Sequence, residues 1–126
     1  MRGDDKMYYF REVTLKNGSS EKRRLIIEFD EPDMKIVAEF LMADAPLLYG
    51  KILHEIDQVL TGEKREITSN GNRCALTIRS STTIISDLLA GMDNVDVYPA
   101  YEIDTIELRE LIVTWFKKLE EFQQEK

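Results

Sequence analysis

The chain has 126 residues, a formal net charge of -7, one histidine and one cysteine. Most acid–base and nucleophilic chemistry at neutral pH uses histidine or an activated serine or cysteine, and zinc sites need several His or Cys ligands. We therefore expect no metal, no cofactor, no disulfide and no catalytic centre. The acidic balance disfavours nucleic acid and anionic membranes as partners, because phosphates attract clustered lysine and arginine.

This length and a 43% apolar content suit one domain with one core. We expect residues 1–126 to form a single α+β domain, with residues 1–6 and 123–126 frayed. No apolar segment approaches membrane-spanning length, and the first residues lack the pattern of a signal peptide. The cytoplasm is the expected location.

The first predicted element is a β-hairpin. Two β-favouring segments, 7–16 and 23–29, flank the turn signal Asn17-Gly18. We expect the connection to be longer than two residues, which leaves the strand register open. After it, Pro32 and its acidic neighbours favour a helix over 34–42, although the apolar residues there also alternate as in a strand.

The next predicted element is an amphipathic helix over 45–61. Asp44 is placed to cap its start, and Gly62 to end it in the left-handed conformation. The single histidine, His54, falls within this helix. Because no second ligand or triad partner accompanies it, we interpret His54 as a helix-surface residue.

Short strands are predicted over 66–68, 73–79 and 82–86, and Asn70-Gly71 joins the first two as a second hairpin. Cys74, Leu76 and Ile78 alternate with more polar residues, as in a sheet with one buried face. Cys74 is therefore predicted to be a small core residue rather than a reactive thiol.

The clearest element is the last helix, which follows one more short strand expected within 95–103. Asp104 and Glu107 have the spacing of a capping box, and an apolar stripe centred on Trp115 continues to about residue 123. The predicted fold is an antiparallel sheet of hairpins with two main amphipathic helices, 45–61 and 104–122, packed on one side.

The segment before that helix mixes carboxylates with tyrosines. Tyrosine offers a large contact area at low entropy cost, and carboxylates steer a cationic partner. The alternative is a loop whose tyrosines pack back onto the sheet. The candidate partner-binding residues are Asp93, Asp96, Tyr98, Tyr101 and Glu102.

Several segments together resemble a known class of protein. They are Asp44-Ala45-Pro46, the helix end over 56–63, the Asn70-Gly71-Asn72-Arg73-Cys74 hairpin, and 102–105 leading into the Trp115 helix. This arrangement resembles small bacterial proteins, some of which look like immunity proteins of polymorphic or contact-dependent toxin systems. The resemblance implies a non-catalytic protein that occludes a basic toxin domain, because nuclease toxins bind phosphate and tend to be cationic. It assigns no functional residue.

Two other functions remain open from the sequence. A structural or regulatory protein acting as a homodimer is the first alternative. A hydrolase using paired carboxylates is less favoured, because carboxylate pairs such as Asp30 and Asp33 arise by chance in an acidic chain and match no catalytic or calcium-binding spacing.

Overall fold

The strands form two separate antiparallel sheets in the computed structural model, which describes residues 8–89 and 97–124. The first sheet is the hairpin of β1 (Tyr8–Asn17) and β2 (Ser20–Phe29). The second has the order β3-β4-β5-β6, formed by Glu66–Asn70, Cys74–Arg79, Thr82–Asp87 and Tyr101–Asp104. The predicted α+β class built from antiparallel hairpins is confirmed, whereas residues 1–6, expected to fray, lie outside the described residues.

The first hairpin has a shorter connection than predicted. Asn17 faces Ser20, so only Gly18 and Ser19 form the loop. Gly18 has a φ of 66°, and a type II′ turn places glycine in this left-handed conformation at its first central position. The expectation of a longer connection is wrong because strand pairing continues without interruption from the Tyr8–Phe29 pair to the loop.

A single helical segment, described over residues 32–60, follows the hairpin. A 3-10 turn (Pro32–Met34) leads into α1 (Lys35–Glu39), a π turn (Phe40–Asp44) and α2 (Ala45–Leu60). The residues over 34–42 are therefore helical, as Pro32 favoured. Pro46 has no backbone N–H to continue α-helical bonding, and the wider π turn, in which the N–H of Ala45 bonds to the carbonyl of Phe40, accommodates it.

The helices lie between the two sheets. α1 contacts both β2 and β5, while α2 packs on β3 and β4. The last helix, α3 (Thr105–Gln124), packs on α2, β2, β5 and β6. The helices therefore cover one side of the four-stranded sheet, as predicted, and the hairpin closes the core from the other direction. The buried face of that sheet carries Cys74, Leu76, Ile78, Thr83, Ile85 and Ile103.

The start and the middle of α3 are held by contacts that the sequence predicted in part. Asp104 Oδ1 accepts the backbone N–H groups of Ile106 at 2.9 Å and Glu107 at 3.2 Å, so the predicted cap is confirmed. Further along, Trp115 is only 2% exposed, and its ring stacks on Phe10 with centroids 6.1 Å apart. Trp115 therefore ties α3 to the first hairpin.

Replacing Trp115 with alanine should lower the free energy of unfolding by about 3–5 kcal/mol, because a large buried ring is removed from between two elements. Denaturant unfolding followed by far-ultraviolet circular dichroism measures this without the tryptophan signal. Val113→Ala is the matched control, since Val113 is an exposed apolar residue of the same helix and should change stability by less than about 0.5 kcal/mol. Equal effects of the two substitutions would show that Trp115 does not anchor α3.

Candidate functional site

Three of the five predicted partner-binding residues are described, and Asp93 and Asp96 lie outside the described residues. Tyr98 and Tyr101 are half-buried and pack against the core, as the alternative prediction of a packed loop required. Glu102 is exposed on β6, where it accepts a hydrogen bond from Thr82 Oγ1 at 2.7 Å. Tyr101 faces Ile85 on the inner side of the sheet.

The position of Tyr98 depends on a buried carboxylate at the end of β5. The side chain of Asp87 is 1% exposed and binds the guanidinium of Arg73 through two hydrogen bonds, of 3.0 and 2.9 Å. The same carboxylate accepts the backbone N–H groups of Leu89 at 2.9 Å and Tyr98 at 3.1 Å. Arg73 also lies over the ring of Tyr98, with its guanidinium carbon 5.4 Å from the ring centroid.

These contacts change the acidity of Asp87. The hydrogen bonds from Arg73 and, to a smaller extent, those from the backbone of Leu89 and Tyr98 favour the ionised carboxylate. Burial acts in the opposite direction but is outweighed. The pKa of Asp87 falls to about 2, so the carboxylate stays ionised throughout the neutral range.

A second buried carboxylate, Asp44, holds the turn that carries Arg73. Asp44 is 1% exposed and accepts the backbone N–H groups of Asn72 at 2.8 Å, Arg73 at 2.9 Å and Cys74 at 2.7 Å. The prediction that Asp44 caps α2 through its side chain is wrong. Because the helical chain enters α2 directly from the π turn, the carboxylate is free to bind the β3–β4 turn instead.

Gly71 permits this close approach. A Cβ atom at Gly71 would lie 2.5 Å from Cγ of Asp44, a distance that real Cβ atoms essentially never show. The hairpin predicted at Asn70-Gly71 is present, although Asn70 still belongs to β3 and residues 71–73 form the connection. Its glycine is required by the nearby carboxylate rather than by a left-handed backbone, since the positive-φ glycines of the described chain are Gly18 and Gly62.

Asp44, Arg73 and Asp87 form a continuous chain of bonds from the helical layer to the backbone of Tyr98, which we call the carboxylate–arginine chain. Next to the residues that it holds, Leu88 is 41% exposed and Val97 is 40% exposed. Sequence reasoning missed these two apolar residues and both ends of the Arg73–Asp87 pair. The sequence did carry one signal that Asp87 is buried, because Asp87 follows Thr83 and Ile85 in the inward-facing alternation of β5.

The charge of the chain is divided unevenly between its parts. Residues 8–29, which contain the first hairpin, carry five lysines and arginines against three acids, a net charge of +2. Residues 30–126 carry ten basic residues against nineteen acidic ones, a net charge of -9. The acidity of the protein therefore lies in residues 30–126, which we call the body and which contain the candidate site, and not in the hairpin.

The two residue types best suited to catalysis are placed as predicted. His54 is exposed on α2, and Cys74 is buried in β4. Burial, with smaller effects from Asp44 and Asp87, raises the pKa of the Cys74 thiol to about 12, so it stays protonated at neutral pH. Within 8–89 and 97–124, no group of three or more His, Cys, Asp or Glu residues could hold a metal ion, and no helix is long and apolar enough to cross a membrane.

Comparison with known proteins finds a clear relative. A Bacillus cereus protein named "Immunity protein" is 38% identical to this chain over 94 residues, which make up 75% of this chain and 78% of the relative. No family model matches the chain. No solved structure matches it either.

Gly71→Ala should destabilise the protein by about 1–3 kcal/mol, as for other overpacked sites, because the new methyl group displaces the Asp44 carboxylate from the turn. Gly50→Ala is the control: its Cβ would meet nothing within 4 Å, and alanine favours the helix by up to about 1 kcal/mol. Urea unfolding of both variants measures the difference. In an Asp44→Ala background the cost of Gly71→Ala should shrink, and an unchanged cost would contradict the close approach.

Asp87 should make stability depend on pH in the acid range. Since its pKa is lowered from 3.8 to about 2 on folding, its contribution is full above pH 4 and is lost as the pH falls toward 2. The shift corresponds to about 2 kcal/mol. Asp87→Asn should therefore be less stable at neutral pH and should lose less stability between about pH 4 and pH 2 than the unmodified protein.

Urea unfolding across this pH range tests the role of Asp87. Asp33→Asn, which alters an exposed carboxylate in the 3-10 turn, should retain the acid dependence of the unmodified protein. An Asp87→Asn profile as steep as that of the Asp33→Asn control would show that Asp87 does not carry the effect.

Proposed function

The chain belongs to the immunity-protein family, and we propose that it neutralises a toxin by binding the toxin domain and occluding it, without catalysis. The support for this function is the 38% identity to the Bacillus cereus immunity protein, which extends over three quarters of both chains. We further propose that the toxin domain is cationic, since a body of charge -9 attracts positive charge.

The proposed contact surface is the end of the four-stranded sheet held by the carboxylate–arginine chain. Leu88, Val97 and the half-buried Tyr98 would provide its apolar centre. The acids of the sequence prediction, Asp93, Asp96 and Glu102, would form its charged rim. The observation that favours this surface is the fixing of the Tyr98 backbone by Asp87, because a preorganised segment loses little entropy on binding.

Binding without catalysis fits the protonation of the Cys74 thiol and the separate position of His54. A thiol with a pKa of about 12 is a poor nucleophile at neutral pH. His54, on the exposed face of α2, lies on a different element from Cys74 in β4. A protein that only covers its target needs neither residue, so their substitution by alanine and serine should leave protection intact.

Protection of living cells tests the function directly. A candidate cognate toxin domain is expressed from an inducible promoter, with or without this chain, and growth is followed. We expect growth to be restored only when the chain is present. Continued growth arrest in the presence of folded protein would overturn the proposed function.

Kinetic measurements with the purified toxin domain test the proposed surface. The charge reversals Asp93→Lys and Asp96→Lys should mainly slow association, and added salt should do the same, because the Debye length is only about 8 Å at physiological ionic strength. Tyr98→Ala should mainly speed release, by about tenfold or more if the ring is a central contact, whereas Tyr98→Phe should retain binding.

The matched control is Glu63→Lys, which makes the same change in net charge in the exposed loop between α2 and β3, at the other end of the sheet. If Glu63→Lys slows association as much as Asp93→Lys does, net charge rather than this surface governs the encounter. An association rate that changes neither with salt nor with the Asp93→Lys and Asp96→Lys reversals would show that the acidity serves solubility alone.

A further inference from the structure

Strand β1 has an open edge. Within the described residues, β1 pairs only with β2, and the two-stranded sheet has no third strand. β1 is ten residues long, contains no proline and pairs without a bulge. Proteins usually blunt such edges with prolines, bulges, covering elements or charged side chains, because an exposed edge is a template for another strand. Of these devices, β1 carries the charged residues Arg11, Glu12 and Lys16.

The turn decides which backbone groups face outward. In a hairpin with a two-residue loop, Asn17 and Ser20 form a hydrogen-bonded pair, and bonded and non-bonded pairs then alternate along the strands. The odd-numbered residues of β1 therefore bond to β2. Glu12, Thr14 and Lys16 direct their N–H and C=O groups toward the free edge.

We propose that β1 is the contact surface for a second copy of this chain, through antiparallel pairing centred on Thr14. In this register Thr14 faces Thr14 of the second copy, and Glu12 of each copy faces Lys16 of the other. Val13 faces Leu15, whose side chain is 50% exposed in the single chain. Opposite charges, apolar pairs and Thr–Thr pairs are the cross-strand combinations that stabilise antiparallel sheets.

The charges exclude the neighbouring symmetric registers. Centring the pairing on Arg11 or on Glu12 would place identical charges directly opposite each other, which is destabilising. Centring it on Val13 would pair Glu12 with Thr14 and Arg11 with Leu15, without an opposite-charge pair. Only the Thr14 register matches both Glu12 and Lys16 with an oppositely charged residue.

The ion pairs already present within each hairpin would continue the alternation of opposite charges on both sides of the new contact. Lys16 Nζ lies 3.6 Å from Glu21 Oε1 on β2, and Arg23 binds Glu12. In the joined sheet, each new Glu12–Lys16 pair would lie between an Arg23 of one copy and a Glu21 of the other. The charges would therefore alternate in sign across four strands.

The two bodies would lie mainly toward opposite ends of the paired strands. The core contacts of β1 come mainly from its first residues, Tyr8 and Phe10, and the end of α3 borders the pairing segment at Glu12 through Lys118 and Phe122. With the two-fold axis at Thr14, the two Tyr8 residues would lie twelve strand residues apart, about 40 Å. The contact is also distinct from residues 97–102 of the proposed toxin surface.

The expected dimer is reversible. Three facing pairs of edge residues, Glu12–Lys16, Thr14–Thr14 and Lys16–Glu12, supply two backbone hydrogen bonds each. A strand edge of this length is smaller than a stable protein interface of about 1,200–2,000 Å². Dimerisation should therefore increase with protein concentration rather than be permanent.

Sedimentation velocity of the full chain over a wide concentration range tests the proposal. We expect the unmodified protein to shift from the monomer mass of 14.7 kDa toward twice that value. Glu12→Lys and Lys16→Glu should each abolish the shift, because each variant places like charges opposite each other. An equimolar mixture of the two variants should restore the dimer, since both charged facing pairs then join opposite signs.

Two further variants separate the edge from general charge effects. Lys22→Glu makes the same change in net charge as Lys16→Glu but lies on β2, and it should leave dimerisation unchanged. Thr14→Pro removes an outward N–H without removing a bond to β2, and it should abolish dimerisation. A protein that stays monomeric at all concentrations, a mixture that fails to associate, or a dimer that survives Thr14→Pro would each overturn the proposal.

Discussion

The carboxylate of Asp44 connects the helical layer to the four-stranded sheet through three backbone hydrogen bonds. Without it, the N–H groups of residues 72–74 would lose their acceptor at a part-buried turn, and each unsatisfied buried group costs about 1–3 kcal/mol. This turn also positions Arg73, whose guanidinium donates hydrogen bonds to Asp87. The Asp87 carboxylate then accepts the backbone N–H of Tyr98. The order of the candidate surface thus originates in the π turn that precedes α2.

This arrangement separates stability from recognition. Asp44 and Asp87 are both buried and fully engaged with hydrogen-bond donors, so they organise the site without being offered to a partner. Among the described residues, Leu88, Val97 and the acid Glu102 are exposed near this chain of bonds. A surface of this kind can bind through shape and charge.

The elements that the sequence predicted well are those specified by local chemistry. The capped helix α3 and the hairpins follow from residues that lie within a few positions of each other, such as Asp104 with Glu107 and Asn17 with Gly18. Asp44 shows where such reasoning fails. A side chain suited to capping the next helix is equally suited to binding a distant turn, and its partners lie 28 to 30 residues away.

The candidate site was predictable to a similar extent. The sequence pointed to Tyr98, Tyr101 and Glu102 through their composition. The Arg73–Asp87 pair that positions Tyr98, however, joins residues 14 apart, one in the β3–β4 turn and one at the end of β5. Period-two alternation placed Cys74 correctly in the core because burial follows from the strand pattern alone. A buried ion pair needs the register between strands, which depends on the turn geometry at Gly71.

The uneven distribution of charge, +2 on the hairpin residues and -9 on the rest, gives the molecule a permanent electric dipole as well as a net charge. A net charge attracts an ion from every direction alike, whereas a dipole applies a torque that rotates the protein as a charged body approaches. A cationic protein would thus meet the body first, with the hairpin turned away. The hairpin edge would then stay accessible while the body is occupied.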